Sequence, residues 1–176
     1  MNRNDHPAWV IYNLFRTSKL NEKYYSHKIK AYDTWNTIFE ITIAFTAPGG
    51  TISALWFWSS PIGSYIWKIF LVIAAIVSLV KPFFKLTDKI KNIQECLSGY
   101  RVLTFDLKEM INDMIEKQKY DQEIKNRYKE ATKRVRELIL KSPEDKPCRK
   151  LIRRYTNEVN TELENFNFYI PEENDV

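Results

Sequence analysis

The sequence predicts an all-α membrane protein, a two-transmembrane helical hairpin with long cytosolic helices forming a helical bundle or coiled coil. Three observations predict it. Charged residues are almost absent from about Ile41 to Trp67 and crowd the rest of the chain. Basic residues flank that band on both sides. Beyond it, apolar residues recur in steps of four and three, and the period-two alternation of a strand is absent.

The averages conceal this segregation. A mean hydropathy of −0.42 suits a soluble protein. The net charge of +5 over 176 residues is compatible with nucleic-acid binding. The basic residues nearest the apolar band are, however, accounted for by anionic lipid head groups and by the positive-inside rule, so no specific nucleic-acid binding is expected. Cys96 and Cys148 lie far apart, and with His6 and His27 they make no zinc-ligand spacing. Two free thiols in a reducing compartment are expected. The N-terminus lacks an apolar core followed by a small-residue cleavage site, so the membrane segment itself is expected to direct insertion.

Residues 1–35 read as an amphipathic N-terminal cytosolic helix, with its periodic stretch from Ala8 to Tyr32. Residues 36–84 are too long for one span and suit two, at about 20 residues per span. A turn at Pro48-Gly49-Gly50 would leave a first arm too short for the hydrocarbon core. The Ser59-Ser60-Pro61-Ile62-Gly63-Ser64 cluster has turn chemistry and gives balanced arms at about 36–58 and 65–84. Trp56, Trp58, Tyr65 and Trp67 then form one aromatic belt, and Tyr32, Trp35, Phe83 and Phe84 the other. Arg16, Lys19, Lys23, Lys28 and Lys30 precede the hairpin, while Lys81, Lys85, Lys89 and Lys91 follow it. Both termini are therefore expected in the cytoplasm.

Two features mark the first arm. Pro48, Gly49 and Gly50 interrupt it near mid-bilayer, where freed carbonyls must meet protein or water. They are candidates for a gating hinge or for close helix packing. Glu40, one turn inside the cytoplasmic end, is an intramembrane charge that either snorkels toward Lys81 or Lys85, or lines a pore or pairs helices. Lys68 is the second intramembrane charge, placed to snorkel outward.

Residues 85–141 carry heptads through Leu86, Ile90, Ile93, Leu97, Tyr100, Thr104, Leu107, Ile111 and Met114. They resume at Ile124, Tyr128, Ala131, Val135 and Leu138 after a polar break at Gln118–Gln122. Ile90, Ile93, Leu97, Tyr100, Leu107, Ile111 and Met114 are thus a seam, either between copies of the chain or against its own first and last helices. Pro82 places a kink where this helix leaves the second arm. Residues 142–147, bracketed by Pro143 and Pro147, read as a loop. A C-terminal helix over 148–168 presents Leu151, Ile152, Tyr155, Val159, Leu163 and Phe166 on one face. Its opening cluster, Arg149, Lys150, Arg153 and Arg154, is a solvated face or a contact for lipid, an acidic partner or a nucleotide. Residues 169–176 read as a disordered acidic tail.

The sequence contains no phosphate loop, no nucleophile elbow, no paired histidine and carboxylate, and no metal constellation. No catalytic, cofactor-binding or metal-binding residue is assigned, no cofactor is expected, and the chain is read as not an enzyme.

The aromatic and basic leading helix (Tyr24-Tyr25-Ser26-His27-Lys28-Ile29-Lys30-Ala31-Tyr32), the tight hairpin, and a second span running into a helix with Tyr100-Arg101-Val102-Leu103 resemble the SLATT family over about Leu14 to Leu107. These are two-transmembrane effector domains of bacterial nucleotide-signalling and anti-phage conflict systems. The resemblance implies a homo-oligomer in membrane lipid that forms a pore or disrupts the bilayer to kill an infected cell. It also implies a separate sensor or nucleotide-signalling protein as partner. A non-enzymatic anchor presenting a helical partner-binding module is the alternative.

Overall fold

The computed structural model describes residues 6–46, 61–84, 86–144, 146–166 and 168–169. Among them the chain is entirely helical, with five helices and no strand. They are α1 (Pro7–Thr46), α2 (Pro61–Phe84), α3 (Leu86–Lys117), α4 (Gln122–Lys141) and α5 (Arg149–Leu163). The chain divides into two compact units, Met1–Lys28 with Asn92–Val176, and Ile29–Lys91.

The first unit is an antiparallel arrangement of the start of α1, most of α3, and all of α4 and α5. Its pairings fix each direction. His6 meets Tyr120 and Tyr25 stacks on Tyr100, so α1 and α3 run oppositely. Arg127 bridges Glu109 and Asp113, Arg134 bridges Asp106, and Gly99 lies against Leu138, so α4 folds back along α3. Tyr12 reaches Tyr169, Phe15 meets Phe166, and Lys19 pairs with Glu162, so α5 runs antiparallel to α1.

The core is written mainly on α3. Ile93, Cys96, Leu97, Tyr100, Leu103, Leu107, Met110, Ile111 and Met114 are all 5% exposed or less. At about 100° per residue they cover an arc of roughly 140°. A two-stranded coiled coil needs only a narrow stripe, whereas this width suits a helix covered from two sides. Burying each such side chain is worth about 1.5–3 kcal/mol. On α4 the buried positions shrink to Ile124, Ala131 and Leu138, one per seven residues, as expected of a helix held along a single seam.

Local chemistry sets the turns. Asp121 caps α4 by accepting from the Ile124 N–H at 2.9 Å, inside the predicted polar break. Gln118 adopts the left-handed conformation at φ 49° just past α3, a place that favours glycine.

Several boundaries differ from expectation. α1 is one helix through Thr46 rather than an amphipathic helix followed by a separate span, because nothing between Ala8 and Thr46 is a glycine or proline that would end it. Pro61, Ile62, Gly63 and Ser64 open α2 instead of forming the turn. Proline suits a first helical position, where its missing N–H has no intrahelical partner to lose. Ser59 and Ser60 lie outside the described residues. α5 ends at Leu163, so Phe166 is beyond the helix, where its ring meets Phe15 and Phe168. Tyr169, assigned to the tail, is 3% exposed, because its carbonyl accepts from the Tyr12 hydroxyl.

Candidate functional site

The unit Ile29–Lys91 displays its apolar residues. Trp35, Ile38 and Ile41 on α1 are 45–57% exposed. On α2, eight large apolar or aromatic residues between Ile62 and Leu79 are 40–73% exposed, and they share one face spanning about 140° of arc. Gly63 and Ala74, three turns apart on nearly one azimuth, are buried on the far side. Eleven of the sixteen large hydrophobics exposed among the described residues fall in this unit, so it carries a surface that needs covering. Among the described residues no helix is long and apolar enough to cross a membrane. Residues 47–60, with the Pro48-Gly49-Gly50 break, Trp56 and Trp58, lie outside them, as do several side chains of α2, Trp67, Phe83 and Phe84 included.

Both predicted intramembrane charges, Glu40 and Lys68, are exposed. Glu40 accepts from Asn36 Nδ2 at 2.9 Å. The seam predicted at Ile90, Ile93, Leu97, Tyr100, Leu107, Ile111 and Met114 is buried against the chain's own helices, except for half-buried Ile90. Arg149, Lys150, Arg153 and Arg154 are all exposed, while Tyr155 and Val159 on the opposite face of α5 are buried.

Sequence reasoning missed a second site, where α1, α3 and the loop before α5 converge. Tyr24, Tyr25, Tyr100, Asn21, Ser142 and Glu144 help to line a cavity of about 260 Å³. Tyr25 and Tyr100 stack with centroids 5.6 Å apart. The Tyr24 hydroxyl donates to Glu144 and accepts from the Cys148 N–H at 3.1 Å. Tyr25 and Ser142 share a hydrogen bond of 2.9 Å, and Lys28 pairs with Glu144 at 2.8 Å.

Burial pushes the hydroxyls of Tyr24 and Tyr25 up, and Glu144 reinforces this at Tyr24. Tyr100 is pushed up to about 12 by burial and then by Tyr25 and Cys96. These phenols therefore stay protonated at neutral pH and work as hydrogen-bond donors, not bases. Burial also raises the Cys96 thiol, which disfavours a reactive thiolate. Among the described residues no group of histidine, cysteine and carboxylate side chains is placed to hold a metal. The signal available in sequence was the pair of quoted segments, Tyr24-Tyr25 and Tyr100-Arg101, which meet here: Arg101 also lies 3.6 Å from Glu22.

The arrangement can anchor a loop to two helices and present an apolar face to its surroundings. Comparisons with protein-family models, curated proteins and solved structures find no match for this chain.

Proposed function

We infer that this chain is an oligomeric membrane effector, whose residues 36–84 enter lipid as a hairpin and whose helical bundle receives the trigger. The observation that carries this reading is the exposed apolar face of α2, together with the exposure of Trp35, Ile38 and Ile41 on α1. Water leaves such a surface uncovered, whereas lipid covers it at no cost to the backbone, because a helix satisfies its own polar groups. The sequence of α2 supports the same reading. It runs 24 residues with Lys68 and Lys81 as its only charges. Small residues buried on its other side suit close helix packing in lipid. Lysines and arginines before and after the apolar band favour both termini in the cytoplasm, and the resemblance to the SLATT effectors makes the cell bacterial.

Activity follows from the resemblance to the SLATT effectors and from the absence of catalytic chemistry in the sequence. A separate sensor protein binds the bundle, the hairpins repack, and the bilayer leaks, which kills the cell in anti-phage defence. The test is dye release from liposomes and toxicity on expression. Full-length protein releases dye and depolarises cells, while a chain lacking residues 36–84 does neither. Ile73→Lys with Ile76→Lys places two charges on the α2 face and abolishes both release and carbonate-resistant membrane retention. Retention without leakage or toxicity under any cytosolic partner would sink the effector reading. That outcome would leave the anchor alternative, which is favoured by Val102 and Phe105, 53% and 69% exposed one turn apart on α3.

A further inference from the structure

The end of the first unit that carries the loop between α4 and α5 is unusual in its charge. Segment 141–154 holds six cations, Lys141, Lys146, Arg149, Lys150, Arg153 and Arg154, against two carboxylates, and so supplies most of the chain's net charge of +5. All six cations are exposed. None pairs with a carboxylate among the described residues, whereas Lys19, Lys23, Lys28, Arg127 and Arg134 are all consumed in ion pairs. Of the two carboxylates, Glu144 is held by Lys28 and Tyr24.

The cations of α5 also stand against local electrostatics. Arg149 and Lys150 stand in the first turn of this helix at its positive end, with no acidic residue there and no side-chain cap. Helix α4 shows the stabilising pattern: Asp121 as cap, Glu123 in the first turn and Lys141 in the last. The start of α5 is therefore arranged for something other than its own stability.

Two apolar side chains complete the patch. Ile139 and Leu140 are 61% and 80% exposed at the end of α4. The loop brings these two helix ends together, because Ser142 is tied to Tyr25 and the Cys148 N–H to the adjacent Tyr24. On the α5 side, Arg149, Lys150, Arg153 and Arg154 fall within about 140° of arc, and the Arg154 guanidinium also lies 5.8 Å from the centroid of the buried Tyr155 ring.

The same end of the unit holds both of its covalent connections to residues 29–91. Lys28 contacts Glu144, and Asn92 lies one turn before Cys96, whose Sγ is 3.7 Å from the Lys141 carbonyl. From Lys28 to Trp35 the chain is seven residues, at most about 25 Å even if fully extended. Resting on the membrane reading above, we propose that this patch docks on an anionic lipid surface, with the cations on the head groups and Leu140 and Ile139 dipping below them. Charge complementarity selects the occupant: exposed cations with no carboxylate partner among the described residues, beside two apolar side chains, are the composition that binds a negatively charged bilayer interface. The docked surface would hold the loop and its tyrosine-bound carboxylate at the bilayer, where a change in lipid charge or salt reaches the bundle directly.

Cys148 supplies the probe. It is exposed and Cys96 is fully buried, so a thiol-reactive fluorophore labels the unaltered full-length chain beside Arg149. The labelled protein is reconstituted in phosphatidylcholine vesicles with or without phosphatidylglycerol, with a nitroxide quencher on the head groups. Quenching is expected only with the anionic lipid, and it should fall as salt is raised. Replacing Arg149, Lys150, Arg153 and Arg154 by Gln removes it, each neutralised cation weakening the association about fivefold. Leu140→Ser weakens it without altering its salt dependence. Equal quenching in both lipids, or quenching that survives the fourfold replacement, overturns the proposal. Carbonate extraction of the same vesicles separates the two readings. A chain retained in the membrane but indifferent to lipid charge refutes the docking patch alone, and a chain washed off refutes the membrane reading with it.

Discussion

The residues that hold this molecule together are tested most directly where burial and chemistry oppose each other. Tyr100 is 5% exposed and its hydroxyl is pushed up to about 12, against an ordinary value of 10. A raised folded value means that this contribution is complete below pH 10 and is lost as pH rises through about 12. Two pH units correspond to about 3 kcal/mol. Alkaline titration followed by circular dichroism and phenolate absorbance is expected to show helix loss coupled to a late-ionising tyrosine. Tyr100→Phe keeps the stack on Tyr25 and flattens that limb. Ionisation of every tyrosine near pH 10 with no loss of helix would contradict the buried cluster.

Ser18 poses the opposite case. It is 1% exposed, and its Oγ finds no hydrogen-bond partner among the described residues. A buried unsatisfied hydroxyl costs about 1–3 kcal/mol, so Ser18→Ala is expected to raise the midpoint of chemical denaturation. Gly99 is tight for a third reason. A Cβ there would stand 2.2 Å from a Leu138 methyl, so Gly99→Val should cost about 2 kcal/mol through overpacking. Leu138→Ala is expected to relieve much of that cost in the double variant, because the two residues share one contact.

At the scale of elements, the joints are held by caps and ion pairs of modest and separable worth. Removing the Asp121 cap of α4 with Asp121→Ala should cost about 1 kcal/mol. Gln118→Gly should stabilise the preceding turn, because φ 49° burdens any residue with a side chain. The pairing of α1 with α5 is electrostatic at its middle. Lys19 and Lys23 hold the Glu162 carboxyl below its ordinary range. At Lys23 burial works toward a lower value, yet the hydrogen bonds it donates to Glu158 and Glu162 outweigh it and raise the ammonium. A depressed carboxyl contributes stability above its unfolded value, and this is lost as pH falls through the folded one. Glu162 is 36% exposed, so Glu162→Gln is expected to cost under about 1 kcal/mol, less at high salt, and nothing in acid. No measurable loss at any salt concentration would mean that the contact of α1 with the C-terminal segment rests on packing at Phe15 and Phe166 instead.

For the whole molecule, topology is the quantity to measure. Arg16 and Lys119 are both exposed, one before and one after the apolar band. Single cysteines at these positions should react with an impermeant thiol reagent from the same side of a sealed vesicle. Labelling from opposite sides would mean an odd number of crossings and would remove the hairpin.

What the sequence determined by itself follows from short-range chemistry. The helical class, the Gln118–Asp121 break, the loop bracketed by Pro143 and Pro147, and the core of α3 were readable because period, proline and capping act within one or two turns. The α1–α2 boundary misled, because Pro61-Ile62-Gly63-Ser64 has the composition of a turn and of a helix start alike. Tertiary structure alone decided that the heptads of α3 turn inward against α1 and α4, since a seam has the same spacing whether its partner is another chain or the same one. It alone brought Tyr24, Tyr25, Tyr100 and Glu144 together, residues up to 120 positions apart whose meeting depends on α3 running against α1 and α4 running against α3. Spacing records which face of a helix is apolar. Only the packed fold assigns that face a neighbour.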